Sequence, residues 1–107
     1  MGRRAEIPIA CDLNALTPAE RERRRTLVGA LAQAIVDRAE VDHGFELRVD
    51  AAKLDLPALA EWIALERRCC PFLNFTIELA AGDGPVTVAL SGADGVKDFL
   101  RAEMGLP

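Results

Sequence analysis

The segment Glu66-Arg67-Arg68-Cys69-Cys70-Pro71-Phe72 carries the residues best suited to chemistry in this 107-residue chain. Two adjacent thiols offer soft donors, and soft thiolates suit soft cations or metalloids such as Cu(I), Zn(II), Hg(II) or As(III). Helical spacing places Cys70 below Leu59, Ile63 and Glu66, and Cys69 below Trp62, Leu65 and Glu66. Glu66 therefore sits one turn from both thiols, and an acid between two apolar stripes is the least expected residue there. Cys11 alternates with Ile7 and Ile9 and should also face inward, where it can meet Cys70. The candidate ligands are thus Cys69 and Cys70, with Cys11 or Glu66 as a third. No catalytic residue is assigned.

Two other readings stay open. Free cysteine is a small, often buried hydrophobe, so all three can be packing residues. Thiol redox chemistry is the second. Reactive cysteines usually gain from a helix N-terminus, whereas these lie near a C-terminus, where the dipole disfavours a thiolate by about 0.3–1 kcal/mol. Arg67 and Arg68 can offset that. A Cys69–Cys70 disulfide would be strained, because adjacent α-carbons lie about 3.8 Å apart. A closed zinc ribbon is disfavoured: it needs four ligands, His43 is the only histidine and no Cys-x-x-Cys occurs. His43 itself reads as a turn residue.

The elements that would position these groups follow from periodicity. Ile7, Ile9, Cys11 and Leu13 alternate with polar or small residues and predict a strand, at an edge because Pro8 cannot donate to a ladder. Thr17-Pro18-Ala19-Glu20 is a helix start with a capping box. Leu27, Leu31, Ala34 and Ile35 give that helix one apolar stripe, running to about Ala39. Asp42-His43-Gly44 is a turn, and Phe45, Leu47 and Val49 mark a half-buried strand. Asp55 caps a second helix with Pro57 in its first turn, ending near Cys70 because Pro71 excludes the helical region before it. Leu73 to Leu79 and Val86 to Leu90 are strands of a hairpin around Gly82-Asp83-Gly84. Ser91 and Asp94 form a second capping box, before a helix with the stripe Val96, Phe99, Leu100 and Met104 and a terminal Gly105.

The order is β-α-β-α-β-β-α. It predicts one α+β domain over residues 1–107, a two-layer sandwich with a four-stranded mixed or antiparallel sheet covered by three helices. The net charge of −4 argues against bulk attraction to nucleic acid or an anionic membrane. Arg21, Arg23, Arg24 and Arg25 interleave with Glu20 and Glu22 and read as a solvated helix face. No apolar run approaches the roughly 20 residues of a membrane span. Arg3-Arg4 is not followed by a secretory core, and Glu6 breaks the myristoylation pattern that Gly2 would open. Three cysteines, two adjacent, are not a disulfide framework, so a reducing, cytoplasmic setting is expected. Trp62, Leu65 and Phe72 lie outside the main stripes and suggest a homodimer contact.

The run Glu66 to Phe75, ERRCCPFLNF, together with Cys11-Asp12-Leu13-Asn14-Ala15-Leu16 and Gly84-Pro85, resembles a group of small bacterial proteins of uncharacterised activity. The resemblance spans about Ile9 to Leu100. Some of those proteins sit beside metal-resistance genes, which implies a heavy-metal role for Cys69 and Cys70, and for Cys11.

Overall fold

Helix α1 (Pro18–Ala34) begins as its sequence requires: the Thr17 hydroxyl accepts from the Glu20 amide at 3.1 Å, and the Thr17 amide donates back to Glu20 at 2.9 Å. In this computed structural model, which describes residues 8–106, a short 3-10 turn (Leu13–Ala15) precedes α1. The chain continues through β1 (Ile35–Val41), β2 (Gly44–Val49), α2 (Leu56–Cys69), β3 (Asn74–Leu79), β4 (Val86–Ser91) and α3 (Val96–Met104). Gly2, Arg3, Arg4, Glu6 and Ile7 lie outside the described residues.

The fold is α+β. Four antiparallel strands in the order β1-β2-β4-β3 form one sheet, and three helices accompany it. Phe45, Leu47 and Val49 of β2 stand opposite Leu90, Val88 and Val86 of β4, and all six are buried. Glu46 and Arg48 between them are exposed, so this face stays open. From the helices, Leu27, Leu31 and Ala34 of α1, Leu59, Trp62 and Leu65 of α2, and Val96 and Leu100 of α3 join the same core.

Among the described residues, the element order corrects the sequence expectation at the N-terminal end: α1 precedes every strand, and the first strand is Ile35–Val41 rather than one ending at Leu13. Residues 8–12 are irregular and pair with no strand. Instead the Asp12 amide donates to the Cys69 carbonyl at 2.7 Å, which ties this segment to the end of α2. The helix stops at Ala34, and the β-branched Ile35 and Val36 enter the hairpin that Asp42-His43 closes, with Val41 opposite Gly44. A second correction concerns α3. Ser91 is the last residue of β4, and Gly95, in the left-handed region at φ 97°, caps the helix without any side-chain bond.

Gly44 is fixed by close approach. A Cβ there would overlap the Leu90 carbonyl oxygen on the neighbouring strand. Gly44→Ala is expected to cost about 2–4 kcal/mol, because backbone paired between the two inner strands cannot move aside cheaply. Urea unfolding of the variant measures it, and a change below 1 kcal/mol would show that the hairpin tolerates a shift.

The arginine cluster is also not simply a solvated face. Arg23 holds Glu61 of α2 through two bonds of 2.8 Å, and Arg68 of α2 reaches Glu20 and the Ala15 carbonyl. The Arg68 hydrogen bond, helped by the Thr17 amide, lowers the Glu20 carboxyl from its usual 4.5 to about 2. A depressed carboxylate adds stability that is fully present above its unfolded pKa and is lost as the pH falls toward the folded one. Acid unfolding should therefore show a loss between pH 4.5 and about 2 that Glu20→Gln removes. Circular dichroism across that range checks it, and identical acid profiles would refute the assignment.

Candidate functional site

Cys69 and Cys70 close α2. Cys69 is its last residue and Cys70 its C-cap, with the Cys70 amide donating to the Glu66 carbonyl. Pro71 then turns the chain away, as its restriction on the preceding residue requires. Both side chains are buried, at 0% and 1% exposure, and Cys11 is half-buried.

The three sulfurs converge: all lie within 4.8 Å of one another. Cys69 Sγ is 3.8 Å from Cys70 Sγ. Cys11 and Cys70 stand at disulfide distance, with α-carbons 4.8 Å apart, inside the range that a bridge requires. Cys69 is the free cysteine of the three. The meeting of Cys11 with Cys70 was anticipated, but by another route: no strand carries Cys11 inward, and the bond from Asp12 to Cys69 does so. The expectation of three unpaired thiols is revised by the same geometry, and Cys69 is not bridged to its neighbour in sequence.

Glu66 is buried at 5% exposure. It pairs with Arg24 of α1 at 2.6 Å, not with Arg67 or Arg68. Its other oxygen lies 3.5 Å from Cys70 Sγ, so a reduced Cys70 thiol is placed to donate to it. Glu66 thus borders the sulfur cluster and belongs to an Arg24–Glu66–Cys70 chain across α1 and α2. Burial would lower the Arg24 pKa, but the charge and hydrogen bond of Glu66, joined by Cys69, hold it above its usual value. Burial pushes the Cys69 thiol up, the Glu66 charge adds to this, and Arg24 opposes it.

Arg24 was absent from the sequence-derived site. The signal was present, since positions 24, 27, 31 and 34 share the apolar stripe of α1, but the surrounding acidic and basic residues obscured it. Trp62, which the sequence suggests for a homodimer contact, is core. Its ring meets Phe75 edge-on at 5.9 Å, and its buried Nε1–H has no hydrogen-bond partner among the described residues. Phe72 packs edge-on against Phe99 at 4.7 Å. Leu65 is buried too. His43 lies in the exposed hairpin turn, where its carbonyl accepts from the Gly92 amide.

Cys11 and Cys70 also line a cavity of about 200 Å³ between α1, α2 and α3. Ion binding by three thiols, disulfide exchange among them, and plain packing are the chemistries this arrangement supports. No helix among the described residues is long and apolar enough to cross a membrane. Compared with protein-family models, curated proteins and solved structures, the chain gives no match.

Proposed function

We propose that the reduced chain binds a soft ion or metalloid of the As(III), Hg(II) or Cu(I) kind through Cys11, Cys69 and Cys70. The observation that carries this reading is the convergence of three sulfurs from two separated segments within 4.8 Å. Three sulfurs in one plane around an ion at about 2.3 Å stand about 4.0 Å apart, and they stand closer around a pyramidal centre such as As(III). The Cys69–Cys70 separation of 3.8 Å is close to that edge, and Cys11 needs only to move off Cys70 on reduction. Zn(II) prefers four ligands and would need Glu66 or water as the fourth. Glu66 serves better as the hydrogen-bond acceptor that orients a reduced Cys70 thiol.

The oxidoreductase alternative has the Cys11–Cys70 pairing in its favour. Against it, Cys69 and Cys70 are both buried and burial raises the Cys69 thiol, whereas an attacking thiol needs exposure and a lowered pKa. Self-association draws support from Val36, Leu56 and Leu79, exposed apolar residues that line one groove. Sedimentation of the reduced chain tests it, and a monomer at high concentration would reject it. A location in the reducing cytoplasm fits an ion site made of thiolates, and neither nucleic acid nor a membrane is proposed as partner.

Titration of the phosphine-reduced chain with arsenite, in competition with a small dithiol, tests the main reading. One arsenic per chain is expected, and Cys69→Ser/Cys70→Ser should weaken binding by at least about 100-fold, beyond the 10–100-fold typical of losing an outer-shell partner. Equal affinity in both proteins would reject it.

A further inference from the structure

The three sulfurs are not equivalent toward the cavity beside them. Cys11 and Cys70 line it, while Cys69 does not and is fully buried. The remaining wall is mostly hydrocarbon and aromatic, with Val28 of α1, Trp62 of α2, and Phe99 and Met104 of α3. Val28 is 38% exposed and Glu103, also at the wall, is exposed, so the space opens to solvent. Its volume of about 200 Å³ exceeds the ~150 Å³ of an apolar cavity that admits benzene. A bare ion held by three thiolates would use none of this room. A largely apolar recess, with the Arg24–Glu66 pair beside its two thiols, fits a centre that carries two sulfurs and one organic group.

We propose that the preferred ligand is a monosubstituted trivalent arsenical, R–As(OH)₂, with Cys11 and Cys70 as its sulfur ligands and an aryl-sized R in the cavity. This deepens the soft-ion reading and rests on it. Binding is a condensation: two As–S bonds form, two As–O bonds break, and each hydroxide leaves with one thiol proton as water. No electrons move, so the chain must be in its dithiol form beforehand. The As–C bond stays intact. Cys69 makes no bond to this ligand, whereas inorganic arsenite, with three exchangeable oxygens, engages all three thiols.

The test uses the full reduced chain with phenylarsine oxide and arsenite as probes, each measured by competition with a small dithiol. Val28→Trp, at a position already exposed, fills the recess without touching sulfur. It should weaken phenylarsine oxide at least 10-fold and leave arsenite within about 3-fold. Cys69→Ser should do the reverse, weakening arsenite at least 10-fold and leaving phenylarsine oxide within about 3-fold. Val28→Trp affecting both probes equally, or neither, would overturn the cavity assignment, as would Cys69→Ser weakening both alike. Failure of the wild type to bind arsenite at all would instead remove the soft-ion reading beneath it.

Discussion

Reducing the Cys11–Cys70 pair is expected to lower the unfolding free energy by about 4 kcal/mol. The two cysteines are 59 residues apart in sequence. A bridge closing a loop of about 60 residues removes, on the chain-entropy estimate, about 4 kcal/mol of unfolded-state freedom. The effect should be large here because, among the described residues, the backbone bond next to Cys11 that ties it to α2 is the one from Asp12 to Cys69. The same reduction creates the dithiol that an ion needs. Oxidised chain should bind no arsenite, since Cys69 is then the only free thiol. Reduced chain should regain stability as arsenite is added, by about 2.7 kcal/mol at one hundred times the dissociation constant. Urea unfolding of the oxidised, reduced and arsenite-loaded forms measures all three states. A reduced chain as stable as the oxidised one, and indifferent to arsenite, would show that neither the bridge nor the ion acts on the fold.

Replacing Arg24 by methionine is the second large effect, a loss of about 3 kcal/mol. The substitution keeps the aliphatic stem on the α1 stripe and strands the Glu66 carboxylate at 5% exposure. Removing one partner of a buried ion pair typically costs about 3–5 kcal/mol. The Arg24 side chain is 25% exposed, and water reaching its end of the pair places the expectation at the lower bound. Arg24→Met/Glu66→Met should recover most of the loss, because replacing both partners leaves no uncompensated charge. A single variant within 1 kcal/mol of wild type would mean that the pair is as weak as a surface bridge. No recovery in the double variant would assign the cost to packing instead.

Much of the fold was legible because local signals and tertiary packing agree. The Thr17 and Asp55 caps, the Pro71 stop and the alternation of Phe45-Leu47-Val49 each describe what the structure contains. The failures occur where tertiary partners decide. Ile35 sits at helical spacing from Leu27 and Leu31 and nothing in Ile35–Val41 breaks a helix, yet β2 needs an edge neighbour and the two-residue turn supplies one. Ile9 and Cys11 alternate like a strand, but no strand is placed to pair with them, and the sulfurs and one backbone bond hold that segment instead.

The site was legible in its membership and illegible in its wiring. A vicinal pair ahead of proline identifies two thiols that leave a helix together, and the inward register brought Cys11 into consideration. The partner of Glu66 lay 42 residues away on another helix. No local rule selects Arg24 over the nearer Arg67 and Arg68, which are exposed because they face away from the core. The cavity likewise needs three helices to define it, so the difference between the two sulfurs that line it and the one that does not is invisible in sequence.

The most direct test of the central claim is X-ray absorption at the arsenic edge on the reduced chain loaded with one equivalent of arsenite. Convergence of Cys11, Cys69 and Cys70 on one atom predicts a first shell of three sulfurs and no oxygen, falling to two sulfurs in Cys11→Ser. A wild-type shell of one or two sulfurs completed by oxygen, unchanged by Cys11→Ser, would contradict it.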